Sequence, residues 1–422
     1  MEGFYMRESK NLEFKENMES NTFLKTISAF ANYGTGTIIF GLEDNGNIKG
    51  ISNPHAACLN LENKINDSII PVPEYSLDIK EDTTIVLTVY EGKYKPYLYR
   101  KKAYKRNDSA TIEVDRLEYN RLILEGSNLS FEEISNDKQE LEFKILEKEM
   151  IQHLGISSLN TDILKTLELY SEKNGFNHAA ALLADHNNVK GIDIIRFGDT
   201  IDEIMDRTTL EGISIIAQLQ DAVEMFKKYY QYEKIEGTSR VVIEKIPEKA
   251  FREAIANALV HRQWDINAFI KVSLFSDRIE ITSPGGLPSS ISKEEYLNGQ
   301  LSILRNPIIG NVFFRLKYIE KFGTGILRIN YAYKDALMKP SFRIFENSIT
   351  VCLPVISSEN QLSSDEQIVV ELLKNHSGLS RKEIELKTGF RKDKTIRILN
   401  ALLTKNIIEK VGSGRAIKYI IL

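Results

Sequence analysis

The spacing of apolar positions changes several times along the chain, and each change predicts a different kind of element. Phe23, Ile27 and Phe30 recur with helical spacing, residues 32–36 form a turn sequence, and residues 37–42 are rich in β-formers. A helix followed by a strand predicts an α/β unit at this end of the chain. Further strands of the unit are predicted at 84–90 and 111–114.

The middle of the chain differs from its start because helical patterns dominate it. A polar, acidic stretch at 125–137 predicts a boundary near residue 130, and helical patterns then continue to about residue 235. From residue 241 helices and strands alternate again, which predicts an α+β unit. The predicted elements are helices at 141–153, 162–169, 179–185, 211–229, 250–260 and 323–335, and strands at 268–275, 278–281 and 350–354.

The C-terminal segment combines three short helical patterns with a hairpin pattern. Three helices followed by a two-stranded wing predict a winged helix-turn-helix. The chain is therefore predicted to be a multidomain α+β protein. Its predicted divisions are an α/β domain at 1–130, a helical connector at 131–239, an α+β domain at 240–356 and the winged helix at 364–422.

Composition changes this picture only slightly. The 422 residues include 55 Lys and Arg against 59 Asp and Glu, which gives a formal charge of −4. The two cysteines, Cys58 and Cys352, are too few and too distant for a disulfide framework or a zinc cluster, so a reduced cytoplasmic setting is expected. No apolar run approaches the roughly 20 residues that span a bilayer, so a membrane partner is not expected.

Three carboxylates flank the first predicted helix and strand. Glu8, Glu13 and Asp44 offer hard oxygen ligands, which suit Mg²⁺ or Mn²⁺, and such a metal polarises a phosphodiester and lowers the pKa of a bound water. Lys15 would steady the developing oxyanion. These four residues are therefore candidate catalytic residues of a metal-dependent nuclease. The alternative is that they are solvated or capping residues.

A basic segment at residues 93–106 combines seven cations with four tyrosines and contains no acid. Cations neutralise phosphates and aromatic faces stack on bases, so this mixture indicates a surface for RNA or single strands. The alternative is a strand pair with its tyrosines in the core and its lysines in water. The candidate nucleic-acid contacts are Lys93, Lys95, Arg100, Lys101, Lys102, Lys105 and Arg106.

A second candidate site begins with Glu253 and Asn257, four residues apart on one face of a predicted helix. An Asn oxygen can bind Mg²⁺ while a Glu one turn earlier orients or deprotonates a water, as an ATP site requires. Glycine loops at 285–286 and 323–325 can present backbone N–H groups to phosphate. The alternative is that these glycines only form turns. No G-x-x-x-x-G-K-[ST] string occurs, so no helicase motor is predicted.

The front of the last predicted helix is basic. This is the end that enters a major groove in helix-turn-helix proteins, and the hairpin adds cations that would contact phosphate. The alternative is a protein–protein or dimerisation module. The candidate DNA contacts are Arg391, Lys392, Lys394 and Arg397 on the helix, with Lys410, Arg415 and Lys418 on the hairpin.

The first candidate site lies in a recognisable pattern. Glu8 and Glu13, followed by the strings at 29–34 and 38–46, resemble the AlbA-2 (Schlafen-type) nucleic-acid-binding domain over roughly residues 5–125. The usual consecutive glycines are interrupted here by Thr35. The resemblance implies nucleic-acid binding. It also implies catalysis on the carboxylates named above, as in the eukaryotic Schlafen nucleases, whereas many bacterial members are described as DNA-binding regulators.

Residues 240–355 resemble the divergent GHKL-type (Bergerat) ATP-binding module found behind AlbA-2 domains in proteins related to RecG helicase. The resemblance implies an α/β sandwich that binds ATP, with Glu253 positioning water and Asn257 binding Mg²⁺. Ser283 stands where ordinary members have an Asp that accepts a hydrogen bond from adenine. The resemblance assigns Gly285 and Gly286 to the first nucleotide loop and Gly323 and Gly325 to the phosphate loop.

Two functions are therefore predicted as alternatives. The first is an ATP-binding, Mg²⁺- or Mn²⁺-dependent nuclease for RNA or single strands, acting in defence or stress response. The second is an ATP-responsive, DNA-binding transcriptional regulator without catalytic activity. A third alternative is an assembly scaffold formed by a homo-oligomer of the chain.

Overall fold

The chain divides into two units, Met1–Ile134 and Ser135–Leu422. This division lies close to the boundary predicted near residue 130. No helix within the described ranges is long and apolar enough to cross a membrane. The computed structural model describes residues 7–43, 46–288, 291–299, 303–320, 323–356, 362–405, 407–412 and 417–421.

Strands and helices alternate in the first unit. The strands are β1 (Leu12–Lys15), β2 (Gly36–Phe40), β3 (Ile69–Ile70), β4 (Tyr75–Ile79), β5 (Ile85–Val89), β6 (Leu98–Tyr99), β7 (Tyr104–Asn107) and β8 (Ala110–Glu113). The helices are α1 (Phe23–Tyr33), α2 (Pro54–Ser68) and α3 (Arg116–Gly126), followed by a short 3₁₀ turn. The central sheet has the order β1-β2-β5-β4, with β1 parallel to β2 and the other neighbours antiparallel. The strands β7 and β8 form a separate hairpin.

The helix and strand predicted at the start of the chain are confirmed. Phe23, Ile27 and Phe30 of α1 are buried in the core of this unit, together with the inward side chains of β2 and β5. The turn between α1 and β2 is tight: a Cβ added at Gly36 would lie 2.4 Å from the Phe30 ring. The apolar spacing that predicted the helix is therefore the spacing that fills the core.

The basic segment at residues 93–106 is anchored to α1 by a buried amide. The carbonyl of Tyr97 accepts hydrogen bonds from Ser28 Oγ at 2.7 Å and Asn32 Nδ2 at 2.9 Å, and the Tyr97 N–H donates to Asn32 Oδ1 at 2.8 Å. Because Asn32 satisfies both backbone groups, the segment can pass through the core without leaving a buried polar group unpaired.

The second unit contains a larger sheet. Its strands are β9 (Tyr170–Ser171), β10 (Gly175–Phe176), β11 (Ile192–Phe197), β12 (Ile204–Leu210), β13 (Gln231–Glu236), β14 (Ser239–Glu244), β15 (Ile270–Leu274), β16 (Arg278–Pro284), β17 (Ser341–Ile344), β18 (Ser348–Pro354), β19 (Ile408–Val411) and β20 (Lys418–Ile421). Its helices are α4 (Lys144–Leu154), α5 (Thr161–Thr166), α6 (His178–Leu183), α7 (Ile215–Tyr230), α8 (Glu248–Val260), α9 (Lys293–Asn298), α10 (Pro307–Arg315), α11 (Gly325–Ala332), α12 (Ser364–Lys374), α13 (Arg381–Thr388) and α14 (Lys392–Thr404).

The predicted division at residue 239 is wrong, because one sheet crosses it. The sheet has the order β12-β11-β15-β16-β18-β17, so β11 and β12 from the supposed helical connector pair with strands of the following domain. The strand β11 is parallel to β15 and antiparallel to β12. The α+β domain therefore begins at or before residue 192, and the segment before it contains the helices α4, α5 and α6 and the strand pair β9–β10.

A buried arginine ties β11 to β15. Arg262 is fully buried, and its guanidinium donates to the carbonyls of Lys190 and Gly191 before β11 and of Ala268 before β15, the last at 2.6 Å. The guanidinium carbon lies 4.2 Å from the centre of the Trp264 ring. Burial lowers the pKa of Arg262 to about 10. The carbonyls and the ring supply partners for its two Nη groups and its charge, whereas the buried Nε has no hydrogen-bond partner within the described residues.

The C-terminal elements follow the predicted order of a winged helix. The helices α12, α13 and α14 and the antiparallel pair β19–β20 enclose a core that includes Val369, Ile384, Ile398 and Leu402. Leu337, from the segment after α11, also packs against this core. The predicted wing residue Arg415 lies outside the described residues.

Candidate functional sites

The carboxylate of Glu13 is buried in a network of hydrogen bonds and ion pairs. Its Oε2 accepts from Thr26 Oγ1 and from Arg106 Nη1, each at 2.6 Å, and its Oε1 lies 2.8 Å from Lys15 Nζ. The Arg106 guanidinium also donates to Thr111 Oγ1 at 3.1 Å and to the Ser9 carbonyl at 3.0 Å. The network thus joins β1 to α1 and to the β7–β8 hairpin.

The other predicted metal ligands are arranged differently. Glu8 accepts a hydrogen bond from the Phe14 N–H at 2.8 Å, so its carboxylate braces the turn that leads into β1. Asp44 lies outside the described residues. Within the described ranges, no group of three or more His, Cys, Asp or Glu side chains is placed to hold a metal ion. The described part of the predicted site is thus an ion-pair network in which two cations already occupy Glu13.

Two of the seven cations in the basic segment are not on the surface, which corrects the prediction for Arg106 and Lys95. Arg106 is 7 % exposed and is bound to Glu13. Lys95 is 8 % exposed, and its ammonium lies 2.7 Å from Glu91 and 2.5 Å from Glu125. Both side chains are used inside the unit and cannot reach a phosphate.

The remaining five cations differ in their partners. Lys102 pairs with Glu113 and Lys105 with Glu118, both at 2.7 Å. Lys93, Arg100 and Lys101 are exposed, and no salt bridge joins any of them to an acid in the described part of the chain. The exposed cationic surface is therefore smaller than the sequence predicted. It consists of Lys93, Arg100 and Lys101, with Lys102 beside them.

Arg100 and Lys101 occupy a turn that favours other residues. Their φ angles are 51° and 62°, and Tyr99 and Lys102 exchange backbone hydrogen bonds of 3.0 and 3.1 Å across them. Two successive positive φ angles are typical of a type I′ turn, which normally contains Asn or Gly. Local strain of this kind clusters at functional sites, because surrounding structure must stabilise it. The turn holds two cations side by side at the surface.

The tyrosines of the basic segment form no exposed stacking surface, which corrects that expectation. Tyr97, Tyr99 and Tyr104 are buried in the core of the first unit. Tyr94 alone of the four is exposed. The alternative of core-facing tyrosines therefore applies to three of the four, and phosphate contacts are the interaction that this surface can offer.

In the second unit, Glu253 and Asn257 of α8 lie side by side in a pocket. Asn257 Nδ2 donates to Glu253 Oε1 at 3.3 Å. A Cβ added at Gly325, the first residue of α11, would lie 2.5 Å from Asn257 Nδ2 and 2.8 Å from Glu253 Oε1. The N-terminus of α11 is therefore in direct contact with the two side chains. The pocket is also lined by His261, Gly286, Tyr296, Arg305, Glu320 and Gly323, with the apolar residues Leu287, Pro288, Ile291, Ile303, Leu304, Ile319, Ile326 and Ile349.

The environment of Glu253 disfavours its negative charge. Burial raises the pKa of Glu253, and the charge of Glu320 adds to this, while Arg328 and the hydrogen bond from Asn257 act in the opposite direction. A carboxyl group whose pKa is raised by burial is better suited to accept a proton than an exposed one. This site has the properties of a general base or a water-positioning group.

The predicted glycine loops contribute unequally. Gly286 lines the pocket, and a Cβ added there would lie 2.1 Å from the Glu346 carbonyl oxygen. Gly285 has a φ of 107° and lies against Arg305, whose guanidinium donates to the carbonyls of His261 and Gly286 at 3.0 and 2.6 Å. Gly285 therefore shapes the loop, and Gly286 borders the pocket.

Ser283 is engaged by the backbone. Its hydroxyl donates to the Ala258 carbonyl at 2.9 Å, and its side chain is buried between β16 and α8. The hydroxyl proton is thus used within the fold. Ser283 does not line the pocket, so the position offers no carboxylate to distinguish one base from another.

Sequence reasoning assigned no role to two residues at this site, Tyr296 in the pocket lining and Arg328 beside the lining residue Glu320. Arg328 lies one turn after Gly325 on α11 and pairs with Glu320 at 3.3 Å. Tyr296 is half-buried, and the removal of its hydroxyl from water raises its pKa to about 12. Burial beside Arg305 lowers the pKa of His261 to about 4, so this ring is neutral in the pocket. The sequence signal that could have identified Arg328 is its position three residues after Gly325, the glycine that begins α11.

The predicted DNA contacts at the start of α14 also differ in their surroundings. Arg391, Lys392 and Arg397 are exposed. Lys394 pairs with Asp365 of α12 at 2.7 Å and lies 4.2 Å from the centre of the Phe390 ring. Lys394 therefore fastens α14 to α12, which leaves three cations at the exposed end of the helix.

Comparisons with known proteins agree with this architecture. Residues 8–115 match the family model "Schlafen, AlbA_2", and residues 267–353 match the model "Putative ATP-dependent DNA helicase recG C-terminal". The chain therefore carries a Schlafen AlbA_2 domain followed by a RecG-related C-terminal domain, as the two resemblances predicted. Glu253 and Asn257 precede the residues matched by the second model.

One solved structure similar to the whole chain is that of the DIP2311 protein from Corynebacterium diphtheriae. It is 18 % identical, covers 98 % of this chain and 92 % of its own, and has a TM-score of 0.48. No curated protein matches the chain.

The network around Glu13 predicts that Glu13→Gln destabilises the first unit. The substitution keeps the shape of the side chain but leaves Arg106 and Lys15 without their carboxylate, and losing one partner of a buried ion pair costs about 3–5 kcal/mol. Native-state hydrogen exchange of the β1 and β7 amides should accelerate accordingly. The control is Glu8→Gln, which retains an oxygen for the Phe14 N–H and should change exchange little. Unchanged protection in Glu13→Gln would contradict the structural role.

The environment of Glu253 predicts a pH-dependent gain in stability for Glu253→Gln. Because the folded-state pKa is raised, ionising Glu253 opposes folding, and wild type loses stability as the pH rises through that pKa. The variant should therefore melt a few degrees higher than wild type at pH 8, with the difference disappearing below about pH 4. Scanning calorimetry of the full chain at the two pH values measures the melting temperatures of wild type and variant. Glu224→Gln, at an exposed position of α7, is the control and should show no such pH-dependent gain.

Proposed function

We propose that this chain is an ATP-binding, nucleic-acid-binding regulator, in which nucleotide bound beside α8 alters DNA contact by the C-terminal helices. The observation that carries the proposal is the position of α11. Its first residue lies against Glu253 and Asn257, and the segment that follows it packs into the core of the C-terminal helices.

The pocket beside α8 fits a nucleotide with a divalent cation. The first turn of α11 offers free backbone N–H groups and the positive end of the helix dipole, which favour phosphate. The Asn257 oxygen would bind Mg²⁺, and Glu253 would orient or deprotonate a water at the terminal phosphate. The apolar side chains of Leu287, Ile291 and Ile326 would face the base and sugar.

The segment after α11 is fixed at several points. Tyr333 Oη donates to the Pro354 carbonyl at 2.9 Å, and Lys339 Nζ donates to the carbonyls of Tyr333 and Lys334 at 2.7 and 2.9 Å. Leu337 packs against the core of the C-terminal helices. A shift of α11 at its phosphate-binding end would therefore reach those helices through the packing of Leu337.

Nucleic acid would contact two surfaces, one in each unit. In the C-terminal helices, Arg391, Lys392 and Arg397 mark the end of α14 that would enter a major groove. In the first unit, Lys93, Arg100 and Lys101 would contact phosphate. Within the described ranges, neither surface presents a row of exposed aromatic side chains of the kind that single strands require, so duplex DNA is the ligand that this arrangement favours.

A nuclease is the less favoured alternative. Both oxygens of Glu13 are occupied by Arg106, Thr26 and Lys15, and a metal ion would have to displace cations from a buried site. Glu8 is used by the Phe14 N–H. A structural role in the ion-pair network therefore explains the presence of Glu13 and Lys15 without assigning them a catalytic role.

Asn257→Ala tests the nucleotide half of the proposal. Loss of the amide oxygen should weaken Mg²⁺-dependent binding of an ATP analogue by at least about tenfold, the loss of one charge-assisted ligand bond. Titration calorimetry of the full chain measures the affinity. Asn330→Ala, an exposed position on α11 outside the pocket, should bind as wild type does. Equal affinities in Asn257→Ala and wild type would refute the assigned site.

A double substitution, Arg391→Ala with Arg397→Ala, tests the DNA half. Binding to a labelled duplex of mixed sequence should weaken by about tenfold or more, and the salt dependence should fall by about two counterions, because two phosphate contacts are lost. The control is Lys374→Ala, which removes a cation at the C-terminal end of α12 and should leave duplex binding unchanged. In Asn257→Ala the duplex should still bind, but the ATP analogue should no longer change its affinity. A nucleotide effect that persists in Asn257→Ala would refute the coupling.

A further inference from the structure

The hairpin formed by β13 and β14 exposes several large apolar side chains to solvent. Ile235 and Val242 are 72 % and 58 % exposed, and Tyr232 and Val241 are exposed as well. The hairpin is a separate two-stranded sheet, and no third strand pairs with it in the described ranges of the chain. Two-stranded ribbons of this kind are marginally stable in water, and exposed edges invite further pairing.

The backbone groups of β14 that point away from β13 can be identified from the register. In the hairpin, Gln231 lies opposite Glu244. The next residues in this register are Tyr230 and Lys245, and the Lys245 N–H donates to the Tyr230 carbonyl at 2.8 Å. Lys245 therefore points its N–H towards the β13 side. Since peptide groups alternate along a strand, Arg240, Val242 and Glu244 direct their N–H and C=O groups outward.

The sequence of this edge is complementary to itself in antiparallel pairing. With Val242 on a two-fold axis, Arg240 lies opposite Glu244 of a second copy, and Val241 lies opposite Ile243 of a second copy. Residues that face each other in this register lie on the same face of the sheet, as antiparallel pairing requires. The pairing would form about six backbone hydrogen bonds, two ion pairs and an apolar centre.

The side chains at the two ends of the strand are available for this pairing. Glu244 Oε2 accepts from the Glu248 N–H at 2.9 Å, which leaves Oε1 for an arginine. Arg240 is exposed, and its contact with Glu233 Oε2 is a surface ion pair of 3.2 Å, which contributes little and can be shared. The edge also lacks the proline and the bulge that commonly block edge-to-edge association.

We infer that β14 is a homodimerisation edge, which pairs antiparallel with β14 of a second copy about Val242 to form a continuous four-stranded sheet, β13-β14-β14-β13. The interface goes beyond the nucleotide and nucleic-acid sites proposed above. It requires neither ligand, so it can be tested with the full chain alone.

Cysteine cross-linking tests the register. In the pairing, the two Val242 Cα atoms lie about 5.5 Å apart, whereas the two Ile235 Cα atoms lie about 20 Å apart, three strand spacings and four residues away. A short bis-maleimide should therefore link the Val242→Cys variant into a covalent dimer. The Ile235→Cys variant should cross-link no more than wild type does. Wild type measures the background from the native Cys58 and Cys352. Equal cross-linking of the two variants would overturn the register.

Sedimentation velocity tests the interface itself. Wild type should show a concentration-dependent dimer. Val242→Pro removes an outward N–H but none of the β13–β14 hydrogen bonds, so it should abolish the dimer while keeping the fold. Arg240→Glu places like charges opposite each other twice and should weaken the dimer by roughly tenfold. The control, Ile235→Lys on the far strand, should dimerise as wild type does. A monomer at all concentrations, or a dimer that survives Val242→Pro, overturns the inference.

Discussion

A charge that leaves water needs a partner inside the protein, and this constraint decides which charged residues of the chain can act on a ligand. Glu13 and Arg106 meet the constraint through each other, Lys95 meets it through Glu91 and Glu125, and Arg262 meets it through carbonyls and a ring. These groups hold the fold together. The residues left for ligands are those that the fold has not paired, such as Lys93, Arg100, Arg391 and Arg397.

Glu253 is the informative exception to this pattern. It is half-buried beside Asn257, and the nearby Arg328 favours its charge but forms its salt bridge with Glu320. A buried carboxylate in this state costs stability, and such a cost is typical of a site where function opposes stability. Arg328 and Asn257 offset only part of the cost of this charge, and the cation proposed to bind with nucleotide would offset more of it.

The sequence predicted elements best where one continuous segment carried the pattern. The helix α1 and the strand β2 were found because Phe23, Ile27 and Phe30 repeat on a single face. The strands β11 and β12 were missed because a short apolar run such as 192–197 does not distinguish strand from helix, and its partner β15 is far along the chain. The boundary at residue 239 failed for the same reason.

The candidate sites were likewise predicted best where their residues lie in one continuous segment. Glu253 and Asn257 were paired correctly because they lie one turn apart on one helix, whereas Arg106 and Lys95 were misplaced because their acidic partners come from other elements. A basic run shows how many cations a segment contains, but it does not show which of them pair with acids from other parts of the chain. In 93–106, four of the seven cations pair with acids at Glu13, Glu91, Glu113, Glu118 and Glu125, all outside the run.

Coupling between nucleotide and DNA requires that α11 differ in its contacts between two states, since a ligand shifts an equilibrium only through its differential affinity for the two states. The helix spans eight residues, about 12 Å, so it is short enough to move as one body. Its N-terminal end meets the half-buried carboxylate of Glu253, and the segment after its C-terminal end contacts the rest of the fold through Tyr333 and Leu337. In the proposed function, binding energy gained by nucleotide at the first end would be available at the second. A coupling of about 1–3 kcal/mol, usual for allosteric proteins, needs only one or two contacts to change.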